Sequence, residues 1–126
     1  MHVRLRILTL VVGLLCVPAW LSAHHSWPIN NSKLVTVKGT VTVFSWMNPH
    51  PMISLDVRAD DGTIEKWTVG GPAINRMVAN GWTKSTLQFG DVITGIGYQL
   101  ADGSKVVRLE KVVLADGRTL LAYGRE

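Results

Sequence analysis

The residues best able to do chemistry in this chain are histidines. His24 and His25 stand side by side behind the small pair Ser22-Ala23, and His50 stands between Pro49 and Pro51. If the chain is cut after Ala23, His24 becomes the first residue and offers two nitrogens, its α-amine and its ring. A free α-amine titrates at about 7.7–8.0, so a metal displaces its proton at little cost near neutral pH. A second imidazole would complete the three-nitrogen set of a histidine brace, and such nitrogen-rich sites favour Cu(II). His50 is the expected second imidazole, because the prolines on either side fix its backbone. Met47 and Met52 flank it, and thioethers are soft ligands suited to Cu(I). A rival mode takes the amine, the amide nitrogen and the ring of His25. A tighter square-planar chelate would need a histidine at the third position, where Ser26 stands. The plainer reading stays open beside these. It makes His24-His25 a polar end that suits cleavage, His50 a turn residue bonded to nearby backbone, and Met47 and Met52 fillers of gaps in a core.

No other residues form a catalytic set. The only cysteine, Cys16, lies inside an apolar run, and Ser45, Ser54, Ser85 and Ser104 have no neighbouring acid–base pair. Asp60, Asp61, Asp102 and Asp116 fall at turns, where a turn-forming role accounts for them, and their spacing matches no calcium loop. The chain is therefore expected not to be an enzyme. The tryptophans are the second candidate. Trp46 and Trp82, with Trp67, would make a stacking platform if they reached a barrel face. Trp67 alternates with Val69, which points it to the core instead. Trp27 sits where it would dock the start of the mature chain onto the domain.

Residues 1–23 read as a secretory signal peptide: Arg4 and Arg6, then an apolar run from Ile7 to Leu21, then Ser22-Ala23. Those 15 apolar residues fall short of the roughly 20 that a membrane-spanning helix needs. Leu15 is too bulky to precede a lipidated cysteine, so no lipid anchor is expected at Cys16. The expected location is the periplasm or the medium, with membrane contact only during export. Without Cys16 the mature chain has no disulfide, and its stability rests on core packing. The formal charge of +4 includes Arg4 and Arg6. The remaining charges are scattered, which argues against nucleic-acid binding. A monomer is expected.

The elements that must position these residues are strands. Residues 24–32 read as an extended lead-in and 33–126 as one domain. Val35, Val37, Val41 and Val43 alternate with Thr36, Lys38, Thr40 and Thr42, the period of a half-buried strand. The apolar phase then slips to Phe44 and Trp46, which predicts a bulge, with Gly39 easing a bend. Met47-Asn48-Pro49-His50-Pro51 interrupts the strand. A second strand follows over Ile53–Arg58, an Asp60-Asp61-Gly62 turn, and a third strand over Thr63–Val69. Pro72 and Gly81 bracket a short helix carrying Ile74, Met77 and Val78 on one side. Val92–Leu100, Lys105–Leu114 and Thr119–Tyr123 complete the series, parted by Asp102-Gly103 and Asp116-Gly117. Three strands, a helix and two or three more strands is the order of a mainly β, OB-fold-like antiparallel barrel, with Gly95 and Gly97 at points of tight curvature.

Several motifs carry a resemblance. His24-His25-Ser26 behind a signal peptide, Trp46-x-Asn48-Pro49-His50, Gly81-Trp82-Thr83, Gly90-Asp91-Val92 with Gly95, and Leu114-Ala115-Asp116-Gly117-Arg118 resemble a family of small exported bacterial proteins of unknown function. The resemblance runs through most of residues 24–126. It implies a bacterial source and an exported domain, and brings neither an activity nor a ligand. The combined expectation is an envelope protein binding copper through His24, His25 and His50. The alternative is a module for an envelope oligosaccharide, peptide or protein, using Trp46 and Trp82.

Overall fold

The computed structural model describes residues 26–123. The expected signal peptide (residues 1–23), His24 and His25 lie outside the described residues. Six strands and one helix follow in order: β1 (Ile29–Ser45), β2 (Met52–Arg58), β3 (Ile64–Gly70), α1 (Ile74–Ala79), β4 (Val92–Leu100), β5 (Val106–Leu114) and β6 (Thr119–Leu121). The strands neighbour one another as β3-β2-β1-β4-β5-β6, and a short parallel pairing of β3 with β5 closes the first five into a ring. That closure and the single helix between β3 and β4 make the fold an OB-like barrel, as the pattern predicts.

β1 does most of the shaping. Its first part pairs with β4 up to Thr40↔Val92, and its last part pairs with β2 from Thr40↔Asp56 to Ser45↔Met52. The register shifts between Val41 and Val43, at the predicted phase slip. The bulge has one consequence that alternation alone misses. It turns Val43 outward, 54% exposed, while Phe44 packs inward against the core. The strand also begins earlier than expected, at Ile29, which pairs with Leu100, so the end of the lead-in already belongs to the sheet.

The inward residues of the ring, among them Val37, Val41, Ile53, Leu55, Val69, Ile93, Val107 and Leu109, form one core. Met77, Trp82 and Leu87 join it from the α1 side, and the Trp82 indole N–H donates to the Leu121 carbonyl at 2.7 Å. Each Asp-Gly turn is built alike. The Asp61, Asp102 and Asp116 carboxylates accept the backbone N–H two residues on, from Thr63, Ser104 and Arg118, and each following glycine has positive φ. The turn role of these acids is thus sufficient. Gly97 answers a different demand. A Cβ there would run into the Arg108 carbonyl on β5, beside the register shift at Ile96–Gly97.

Two outcomes follow from these contacts. Gly97→Ala should lower the unfolding free energy by about 2 kcal/mol in urea titration, since backbone must move to admit the methyl. Gly95→Ala, whose nearest neighbour would be the Val69 side chain at 3.4 Å, should cost less. The pH dependence has a defined sign. Hydrogen bonds from Thr63, Ser104 and Arg118 hold Asp61, Asp102 and Asp116 below their ordinary 3.8, and Lys105 holds Glu65 below 4.5. A carboxyl whose pKa is depressed by folding stabilises the fold above its unfolded value and stops doing so as pH falls through the folded one. Stability should therefore lose these contributions progressively below the ordinary carboxylate range. An Asp61→Asn, Asp102→Asn, Asp116→Asn triple variant should show a shallower acid limb in thermal melts.

Candidate metal-binding end of the barrel

The loop from Met47 to Pro51 joins β1 to β2 and is tied to the chain leading into α1. Gly71 N–H donates to the Pro51 carbonyl at 2.9 Å, and Pro51 itself is fully buried. Ile74 N–H reaches the Asn48 side-chain oxygen at 3.5 Å, a long contact, and the Asn48–Pro49 peptide is cis. Between these ties His50 Nδ1 lies 3.1 Å from the Gly71 carbonyl. A carbonyl can only accept, so Nδ1 carries the hydrogen, and in the neutral ring Nε2 keeps its lone pair. A backbone acceptor on one ring nitrogen is the common way a protein orients a histidine whose other nitrogen binds metal.

The lead-in comes back to this loop. The rings of Trp27 and His50 sit 5.1 Å apart at 54°. Trp27 lies over Gly70, where a Cβ would be 2.5 Å from its Cη2 and 2.7 Å from the Met52 sulfur. Two backbone bonds hold the segment beside it, Ile29 N–H to the Trp27 carbonyl and Ala101 N–H to the Pro28 carbonyl, at 2.9 and 2.8 Å. Trp27 docks the lead-in, as its position in the chain suggested, and Trp27, His50 and Met52 form one cluster. Met47 is 64% exposed in the loop. Among the described residues no three of His, Cys, Asp and Glu stand close enough to hold a metal. A nitrogen-rich site here needs His24 or His25, both outside the described residues.

Beside Trp27 lies a group that sequence reading passed over. Arg108 stands over the rings of Tyr98 and Tyr123, 5.5 and 4.8 Å from their centroids, and pairs with Glu110. Arg76 adds a second cation 5.4 Å from the Tyr123 ring. Burial pushes the Tyr123 phenol above its ordinary value, opposed by its interaction with Trp27 and by the two guanidiniums. The Trp27 indole N–H is buried near that phenol without a hydrogen bond of normal geometry, and Arg108 Nε is buried and unpaired as well. Arg108 and Glu110 alternate on one face of β5, a period-two signal that could have flagged them. Tyr123 follows the last strand and carries no such signal.

The tryptophans proposed for stacking fall elsewhere. Trp82 is 1% exposed in the core, so it offers no face to a ligand, because the α1 end of the barrel needs its bulk. Trp46 is half-buried, edge-on to Phe44 at 5.5 Å. The docking of Trp27 can be tested directly. Gly70→Ala should expel the Trp27 ring while the barrel stays folded. The expected readout is one additional tryptophan quenched by acrylamide, with a far-ultraviolet circular dichroism spectrum like that of the parent.

Known proteins place this architecture as follows. The fold is similar to part of the crystal structure of the ZRD-deleted mutant of TiaS in complex with agmatine, with a TM-score of 0.51 and 18% identity over 78% of this chain. The chain spans about a quarter (24%) of that larger one, and at this identity the likeness is one of fold alone. No curated protein sequence matches the chain. The model of a family of unknown function, DUF6152, matches residues 11–108, most of the chain, and the protein belongs to that family.

Proposed function

We propose that this protein is exported to the cell envelope, is not an enzyme, and binds copper where its lead-in docks on the barrel. The export reading rests on the basic, apolar and small-residue order of residues 1–23. The observation that carries the metal reading is the contact between Trp27 and His50. His25 and His24 lie two and three residues before Trp27, within about 7 and 11 Å of extended chain. A processed His24 can therefore bring its amine and ring to His50 Nε2 without opening the barrel. His50 is already oriented by Gly71, which lowers the ordering cost of the site. Met52, in contact range of the same cluster, supplies a soft sulfur for Cu(I), whereas Met47 is too exposed to be fixed there.

The alternative, an envelope-binding module built on Trp46 and Trp82, is weakened by the burial of Trp82. The test of the copper reading is a Cu(II) titration followed by electron paramagnetic resonance and calorimetry. Protein beginning at His24 should bind at least about tenfold more tightly, or about 1.4 kcal/mol, than the same protein with one extra N-terminal residue. His50→Ala should cost as much. Equal affinity for all three proteins would sink the reading. Loss only on extension would leave the His25 chelate in place of the brace. Bound Cu(II) should also quench an emission component that Trp27→Phe removes.

A further inference from the structure

The end of the barrel away from α1 is open, because two of its strands part there. β1 and β2 form a ladder only from Thr40↔Asp56 onward. Continued in the same register, Lys38 would face Arg58, but that pair is not made. Ahead of this fork β1 pairs with β4 alone, from Leu34↔Tyr98 to Thr40↔Val92. In an antiparallel ladder alternate residues turn their N–H and C=O groups to opposite sides. Val41 N–H donates to the Asp91 carbonyl and Gly90 N–H donates to the Val41 carbonyl, both at 2.8 Å, on the β4 side. That fixes the phase. Val35, Val37 and Gly39 bond towards β4, while Leu34, Thr36 and Lys38 present their backbone groups to the fork. No backbone group among the described residues bonds to them there.

The fork has a cleft on each face. The inner cleft, of about 360 Å³, is walled by Val35, Val57 and Trp67, which share the inward phase of their strands and pack against the core. The Trp67 ring is held in place because its indole N–H donates to Glu65 at 3.0 Å. The outer cleft, of about 540 Å³, is lined by Lys38, Arg58 and Ile64 on the outward phase. Lys38 and Arg58 therefore stand on one face, one on each arm of the fork. Neither pairs with a carboxylate among the described residues, and Asp56 beside them is already neutralised by Lys66. An open strand edge is a template for another strand, whose backbone supplies affinity and whose alternate side chains supply specificity. Here the alternation on offer is apolar inside and cationic outside.

We propose that the fork takes an extended peptide segment of a partner protein as an added strand along Leu34–Lys38, with apolar side chains turned in towards Trp67 and acidic ones turned out towards Lys38 and Arg58. A lysine on an open edge can also serve to discourage pairing. Lys38 points outward, however, so it leaves the inward positions of an added strand clear and attracts an acid at the outward ones. A second copy of the chain would bring the same two cations and no free acid, so like charges oppose self-pairing. The His50 loop joins the far ends of the same two strands, so the fork is separate from it and involves no metal.

The probe is the blocked peptide acetyl-Thr-Val-Glu-Val-Glu-Val-amide added to metal-free protein, with the same peptide carrying lysine in place of both glutamates as comparison. The readouts are the backbone amide resonances of β1 and their hydrogen-exchange rates. Thr36 and Lys38 should shift saturably and exchange more slowly, while Val35 and Val37, already bonded to β4, should keep their rates. The glutamate peptide should bind at least about tenfold more tightly than the lysine peptide. Methylating one alternate set of the peptide's backbone nitrogens should abolish binding, as expected when only one edge of the added strand meets β1. A Lys38→Glu, Arg58→Glu variant should reverse the preference between the two peptides. Should that variant fail to fold, the milder Lys38→Gln, Arg58→Gln change should level them. No saturable shift, equal binding of the two peptides, or indifference to the charge changes would each overturn the proposal. So would slowed exchange at Thr36 that grows with protein concentration in the absence of peptide, since the occupant would then be a second copy.

Discussion

One strand has to hydrogen-bond on both of its edges while changing direction, and the barrel depends on it. β1 runs 17 residues and serves β4 through its first part and β2 through its last. A straight strand of that length could not lie in both halves of a small closed sheet, because closure requires tilt and curvature. The bulge between Val41 and Val43 supplies the change of direction and resets which side chains face inward. It carries Phe44 to the core, where its ring meets Trp46 and Trp82, and leaves Val43 outside. The close approach at Gly97 does the corresponding job where β4 meets β5.

Closure also determines where the loops end up. Because β1 finishes beside the start of β2, the Asn48-Pro49-His50-Pro51 loop lies at the α1 end of the ring. There Gly71 both donates to Pro51 and accepts from His50. The lead-in enters β1 from the other direction but bonds to the end of β4 through Pro28 and Ala101. Trp27 can then lie across Gly70, where the absence of a side chain leaves room for its indole and the Met52 thioether, and the same indole reaches the His50 ring. In this arrangement Trp27, ahead of β1, is brought to His50 by packing alone.

The two ends of the barrel thus take on different chemistry from the same construction. One is closed by aromatic and aliphatic bulk and bears a histidine, a methionine and a pair of guanidiniums near Tyr123. The other remains open, with Trp67, Val35 and Val57 beside the Gln99 amide.

Much of the architecture was legible in residue order. Period-two alternation, the phase slip before Phe44, three Asp-Gly turns and one proline-led helix were sufficient to lay out six strands and a helix in barrel order, since each is a local preference of the backbone. The turn role of the aspartates and the docking role of Trp27 were also legible, the latter only as a position in the chain. Distances between segments were not legible. Whether Trp82 faces solvent or core depends on what α1 covers, and alternation says nothing about a residue that follows a helix. The meeting of Trp27 with Met52 over Gly70, of Trp27 with His50, and of Arg108 with Tyr123 joins residues far apart in the chain. The mouth at Trp67 and Gln99 exists only because β3 pairs with β5 and closes the ring. Such contacts are set by strand register and closure, which no local pattern encodes, and for that reason tertiary structure alone decided them.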